Sequence, residues 1–111
     1  MGIQSWSEDI LLVDLPKEPK MEQELETLIN QASKEEGCDV VIDFSQVNVI
    51  TASSIQKLLK LRKFLLNRKR RLIFCSVAPV TMGIFLIIGL DKIFKFDQDK
   101  FVALASLQVV D

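Results

Sequence analysis

Apolar residues fall along the chain in two rhythms. Short, nearly continuous runs at 10–15, 40–44 and 72–77 are rich in Leu, Ile, Val and Phe, the pattern of strands buried on both faces of a parallel sheet. Pro16 and Pro19 end the first run, and a weaker strand is expected before it at 4–7. Between the runs the apolar positions spread to helical spacing. Met21, Leu25, Leu28, Ile29 and Ala32 make one stripe, opened by Pro19, supplied with Glu22 and Glu24 at its positive end, and stopped by Gly37. Ile55, Leu58, Leu59, Leu65 and Leu66 make a second from Ala52 onward; Lys57, Lys60, Lys63 and Asn67 face out, and the cations at 68–71 close it. Residues 80–88 read as a third helix closed by Gly89, 93–96 as a last strand, and Phe101, Leu104, Ala105 and Gln108 as a closing helix.

Strands alternating with helices of this length imply βαβ crossovers. The expectation is one α/β domain spanning residues 1–111, with a mostly parallel or mixed sheet covered by about four helices. A length of 111 residues suits a single core.

Composition narrows the chemistry. The chain has no histidine, which removes imidazole acid–base catalysis, Ser-His-Asp and Cys-His nucleophiles, and His-containing zinc sites. Its four glycines are isolated, so no phosphate-cradling loop is formed, and the carboxylates of Asp97 and Asp99 have no nucleophile converging on them. A non-enzyme without metal or cofactor is expected. Cys38 and Cys75 sit in apolar surroundings and read as buried thiols rather than a disulfide, which suits the cytoplasm. The first nine residues have no signal-peptide pattern.

The net charge of −1 hides a strong segregation. Residues 1–43 carry eleven acids and three lysines, whereas residues 44–90 carry eight cations and no acid. The cations run from Lys57 to Arg71 and read either as a solvated helix face or as an attraction for an acidic protein surface. Phe64 is the only aromatic among them that could stack on a base, which counts against nucleic acid. Residues 72–90 are uncharged over nearly the span of a membrane helix, but Ser76, Pro79, Thr81, Gly83 and Gly89 break them into strand and helix, so no membrane insertion is expected. The helix at 80–88 is apolar on every side. Either an unusually covered core hides it, or residues such as Met82, Phe85 and Leu86 form a patch for a partner or a second copy of the chain.

Three segments carry a family resemblance. Residues 39–47 followed by Thr51-Ala52-Ser53-Ser54-Ile55, then Gly89-Leu90-Asp91-Lys92-Ile93-Phe94, then Ala103-Leu104-Ala105-Ser106-Leu107, resemble in order and spacing the STAS domain, the sulfate transporter and anti-sigma factor antagonist family. The resemblance covers essentially the whole chain and implies a small α/β domain with helices largely on one side of its sheet. In bacterial anti-sigma factor antagonists the turn reads Asp-Ser-Ser/Thr-Gly-Leu, and its third position is phosphorylated by a partner serine kinase. That position is Ser53. Thr51 stands at the family's Asp, Ala52 at its first Ser and Ser54 at its Gly.

Two readings of the turn stay open. Thr51 or Ser53 caps the helix, Ser53-x-x-Gln56 fitting a capping box; or Ser53 accepts a phosphate at a helix end that tolerates an anion. The resemblance accordingly implies a protein-binding module that holds an anti-sigma kinase through Thr51, Ser53, Ser54, Gln56, Lys57, Lys60 and Lys63, and releases it on phosphorylation. The alternative is an unswitched scaffold subunit holding the regulatory ATPase of a transport or signalling complex.

Overall fold

The computed structural model describes residues 2–34 and 37–108. Five strands, β1 (Ile3–Ser7), β2 (Ile10–Asp14), β3 (Asp39–Asp43), β4 (Leu72–Cys75) and β5 (Lys95–Asp97), form one sheet in sequence order. β1 is antiparallel to β2, and the other pairs are parallel. Helices α1 (Lys20–Lys34), α2 (Ala52–Asn67) and α3 (Pro79–Ile87) make the crossovers, and α4 (Lys100–Gln108) follows β5.

Alternation along the strands feeds two cores. Leu11, Val13, Val40, Ile42 and Phe74 point to the face carrying α1, α2 and α3, where Leu25, Leu28, Leu58, Leu61 and Phe85 meet them. Phe74 is the hub of that side, its ring centroid 4.5 Å from Phe94 and 4.8 Å from Phe44. Ile10, Leu12, Val41, Ile73 and Cys75 point the other way and are covered by Ala103, Leu104 and Leu107 of α4. Three helices on one face and one on the other give the mixed, mostly parallel architecture expected from the hydrophobic pattern.

Two local expectations shift. Residues 93–94 are not strand: a 3-10 turn occupies Leu90–Lys92, and β5 begins only at Lys95. Phe94 earns its apolar character by stacking on Phe74, not by sitting in a ladder. In α2 the buried residues are Ser54, Leu58, Leu61 and Leu65, whereas Leu66 is 52% exposed. α2 then ends in a Schellman motif: the Lys69 amide donates to the Leu66 carbonyl at 3.0 Å and the Arg70 amide to the Leu65 carbonyl at 2.8 Å, with Lys69 left-handed at φ 58°. That stop aims Arg70 and Arg71 back at the start of β3.

Candidate functional site

The loop from β3 to α2 leaves the sheet at the end where the parallel strands stop. Asp43 Oδ1 accepts from the Ser45 amide at 2.7 Å, turning the chain, and buried Val47 and Ile50 anchor the loop while Val49 stays exposed. Thr51 is the N-cap, in extended conformation, and its Oγ1 accepts from the Ser54 amide at 3.1 Å. The cap is therefore Thr51, and Ser53 does not close a capping box with Gln56.

A carboxylate does sit at this turn, though it comes from far away in sequence. Glu18, in the loop before α1, accepts on one oxygen from the Thr51 amide and Thr51 Oγ1, both at 3.0 Å, and from Ser54 Oγ at 2.7 Å. Ser54 is fully buried, so it acts inside the turn and is no contact for a partner. Its neighbour Ser53 is exposed, and its hydroxyl has no hydrogen-bond partner among the described residues. Gln56 is likewise exposed.

Beyond the first turn the basic residues divide. Lys57 is tied to Glu26 of α1 at 3.0 Å. Arg62 Nε donates to the Ile93 carbonyl and Arg68 to the Ser33 carbonyl, each at 3.1 Å. Arg71 Nη2 donates to Asp39 Oδ2 at 3.2 Å and to the Leu107 carbonyl at 2.9 Å, and Arg70 Nε lies 3.3 Å from Asp39 Oδ1. Lys60, Lys63 and Lys69 alone of the eight have no partner among the described residues. The basic cluster is thus mainly structural, and only Lys60 and Lys63 continue the exposed face of α2 from Ser53 and Gln56. A cavity of about 190 Å³, lined in part by Arg62, Arg70, Arg71 and Lys95, lies at the opposite end of the sheet, where β4 and β5 begin.

The apolar helix also divides. Phe85 is fully buried against Phe44, Phe74 and Phe96, which removes it from any contact patch, and Met82 is half-buried. The exposed face is Leu86 with Val80, Ile87 and Ile88, from 50% exposed at Ile88 to 86% at Ile87. Burial at Thr81 and Phe85, four apart, sets this phase; the same spacing in the sequence could have separated Phe85 from Ile87. α2 crosses between β3 and β4 and α3 between β4 and β5, both on the same face of the sheet.

Cys38 and Cys75 are buried, one in each core. Burial, with the carboxylate of Asp43 adding to it, pushes the Cys75 thiol up to about 12, so it is no nucleophile at neutral pH. Among the described residues no group of three or more acidic or thiol side chains could hold a metal, and no helix is long and apolar enough to cross a membrane.

A five-stranded mixed sheet with a polar turn at the head of its central crossover helix defines a small α/β domain. The chain belongs to the STAS domain family, whose model matches residues 21–101. Solved structures agree in fold. An anti-sigma-factor antagonist (STAS) domain protein from Planctomyces limnophilus superposes with a TM-score of 0.83 at 19% identity, covering 96% of this chain and 98% of that one. RsbS of Moorella thermoacetica, in a serine-to-glutamate form, gives 0.78 at 18% identity, covering 97% and 96%. The Bacillus cell fate determinant SpoIIAA in its phosphorylated form gives 0.73 at 13% identity, covering 96% and 97%. A search of curated proteins finds no match.

Proposed function

We propose that the chain is a non-catalytic, cytoplasmic, protein-binding module of the anti-sigma factor antagonist type, switched by phosphorylation of Ser53. The observation that carries this reading is the contrast within one turn: Thr51 and Ser54 are committed to Glu18, while the Ser53 hydroxyl between them is exposed and unbonded. Exposed Gln56, Lys60 and Lys63 extend the contact along α2, and Leu86, Ile87 and Val80 supply an apolar flank on α3. The partner is an anti-sigma serine kinase holding ATP. Ser53 Oγ attacks the γ-phosphorus, its proton passes to a base on the kinase, and ADP leaves. The ester adds about −1.5 to −2 charges to the contact surface, which opposes an acidic or apolar partner.

The test joins mass spectrometry of Ser53 from native cells to partner capture with Ser53→Ala and Ser53→Asp. Phosphate on Ser53, and a kinase retained by Ser53→Ala but lost by Ser53→Asp, support the switch; equal capture by both variants sinks it. The exposed apolar face of α3 favours a second reading, an unswitched scaffold, for which a transporter ATPase would be captured equally by both variants.

A further inference from the structure

One oxygen of Glu18 ties the loop before α1 to the first turn of α2 through three hydrogen bonds. The residues it holds, Thr51 and Ser54, bracket Ser53. We propose that Glu18 is a charge latch on this turn and that a phosphate on Ser53 opens it; the proposal rests on Ser53 being the phosphoacceptor.

An α-helix N-terminus offers the equivalent of roughly half a positive charge, concentrated in its first turn. Here one carboxylate already uses it. The amides of Ala52 and Ser53 have no acceptor among the described residues, so a phosphate on Ser53 finds donors of its own beside that carboxylate. No cation occurs between residues 44 and 56, and Lys57, the next along, is bound to Glu26, so the cations nearest the latch in sequence are Lys17 and Lys20 on the Glu18 side. A phosphate of about −2 and a carboxylate then share one helix end. The group attached covalently to the helix stays, and the one reaching in from another loop leaves.

The opening is local. Leu15 before Glu18, and Met21 and Leu25 after it, are fully buried and hold α1 against the sheet, so the segment at 16–19 moves while the helix remains. Phosphorylation thereby changes the partner surface twice, by the charge it adds and by displacing a second segment that contacts α2.

The test installs phosphoserine at position 53 during translation, so that it does not depend on any kinase recognising the turn. Amide exchange at Thr51, whose N–H donates to Glu18, is expected to rise by at least about tenfold, the latch bond being lost. Phosphorylation should lower Tm by about 4 °C or more in the unaltered protein. In Glu18→Gln, where the amide oxygen still accepts the same hydrogen bonds without charge, the fall should be less than half as large. Unchanged exchange in the phosphoprotein overturns the latch, as does an equal fall in Tm in both backgrounds. If Glu18→Gln does not fold, exchange in the phosphoprotein decides alone. Failure to find phosphate on Ser53 in native cells defeats the functional reading without altering these measurements.

Discussion

The two ends of α2 hold the chain's polar chemistry, and they use it differently. At its C-terminal end Arg68, Arg70 and Arg71 are bonded to Ser33, Asp9, Asp39 and Leu107, joining α1, the start of β3 and α4. At its N-terminal end Thr51, Ser54 and Glu18 form a small closed network, and Ser53 stands outside it. A dense patch of charge is the weaker sign of a partner here than one hydroxyl with nothing to do. Arginines beside a buried carboxylate pair with it, whereas an exposed serine between two bonded residues is left open to modification.

Substitutions should separate the two ends by size of effect. Asp39→Ala removes a buried carboxylate that accepts from the Arg71 side chain and amide and faces Arg70 Nε, so about 2 kcal/mol of stability should go, read by urea unfolding. A loss below about 0.5 kcal/mol would make the basic end as dispensable as an exposed one. Next comes pH at the sheet end beside Asp43. The folded Cys75 thiol stays protonated to about 12 against an ordinary value of 9.0, so the folded state binds the proton more tightly and stability falls as pH rises through 9 toward 12. At pH 10 the loss is on the order of 1 kcal/mol. Unfolding between pH 8 and 10 should show a correspondingly weaker pH dependence in Cys75→Ala; identical slopes would refute the assignment.

At the open end the effects shrink. Thr51→Ala removes the N-cap bond from the Ser54 amide and the hydroxyl bond to Glu18, for about 1 kcal/mol by thermal unfolding. Ser53→Ala should change stability by less than about 0.5 kcal/mol while abolishing phosphate uptake at the turn. A stability loss as large as that of Thr51→Ala would mean that Ser53 is structural after all. Smallest of all on folding is the pair Lys60→Gln and Lys63→Gln, near zero, with its effect confined to a flatter salt dependence of partner binding.

The alternation of strand runs and helical stripes carried the fold, because each element has one periodicity and one burial requirement. Within α2 the same reading went astray by one residue at a time. Five apolar positions, Ile55, Leu58, Leu59, Leu65 and Leu66, offered more candidates than one face can bury. The resolved phase, 54, 58, 61 and 65, makes Ser54 part of the buried stripe four residues before Leu58. That spacing was visible in the sequence and would have separated Ser54 from Ser53. The partners of the turn and of the basic cluster were not visible. Glu18 lies 33 residues from Thr51, and Asp39 lies 32 from Arg71, so only the tertiary fold brings them together.

The single helix over the second sheet face has a kinetic consequence. α4 covers that face through Ala103, Leu104 and Leu107 and is tethered by the Arg71 bond to the Leu107 carbonyl and by Lys100, 3.9 Å from Asp14. Among the described residues no other helix covers that face, so lifting α4 as a unit bares it at a free-energy cost below that of global unfolding. Cys75 lies directly beneath it, so with Cys38 replaced by Ala thiol labelling measures how often the lid lifts, and the protein carries its own clock for that motion.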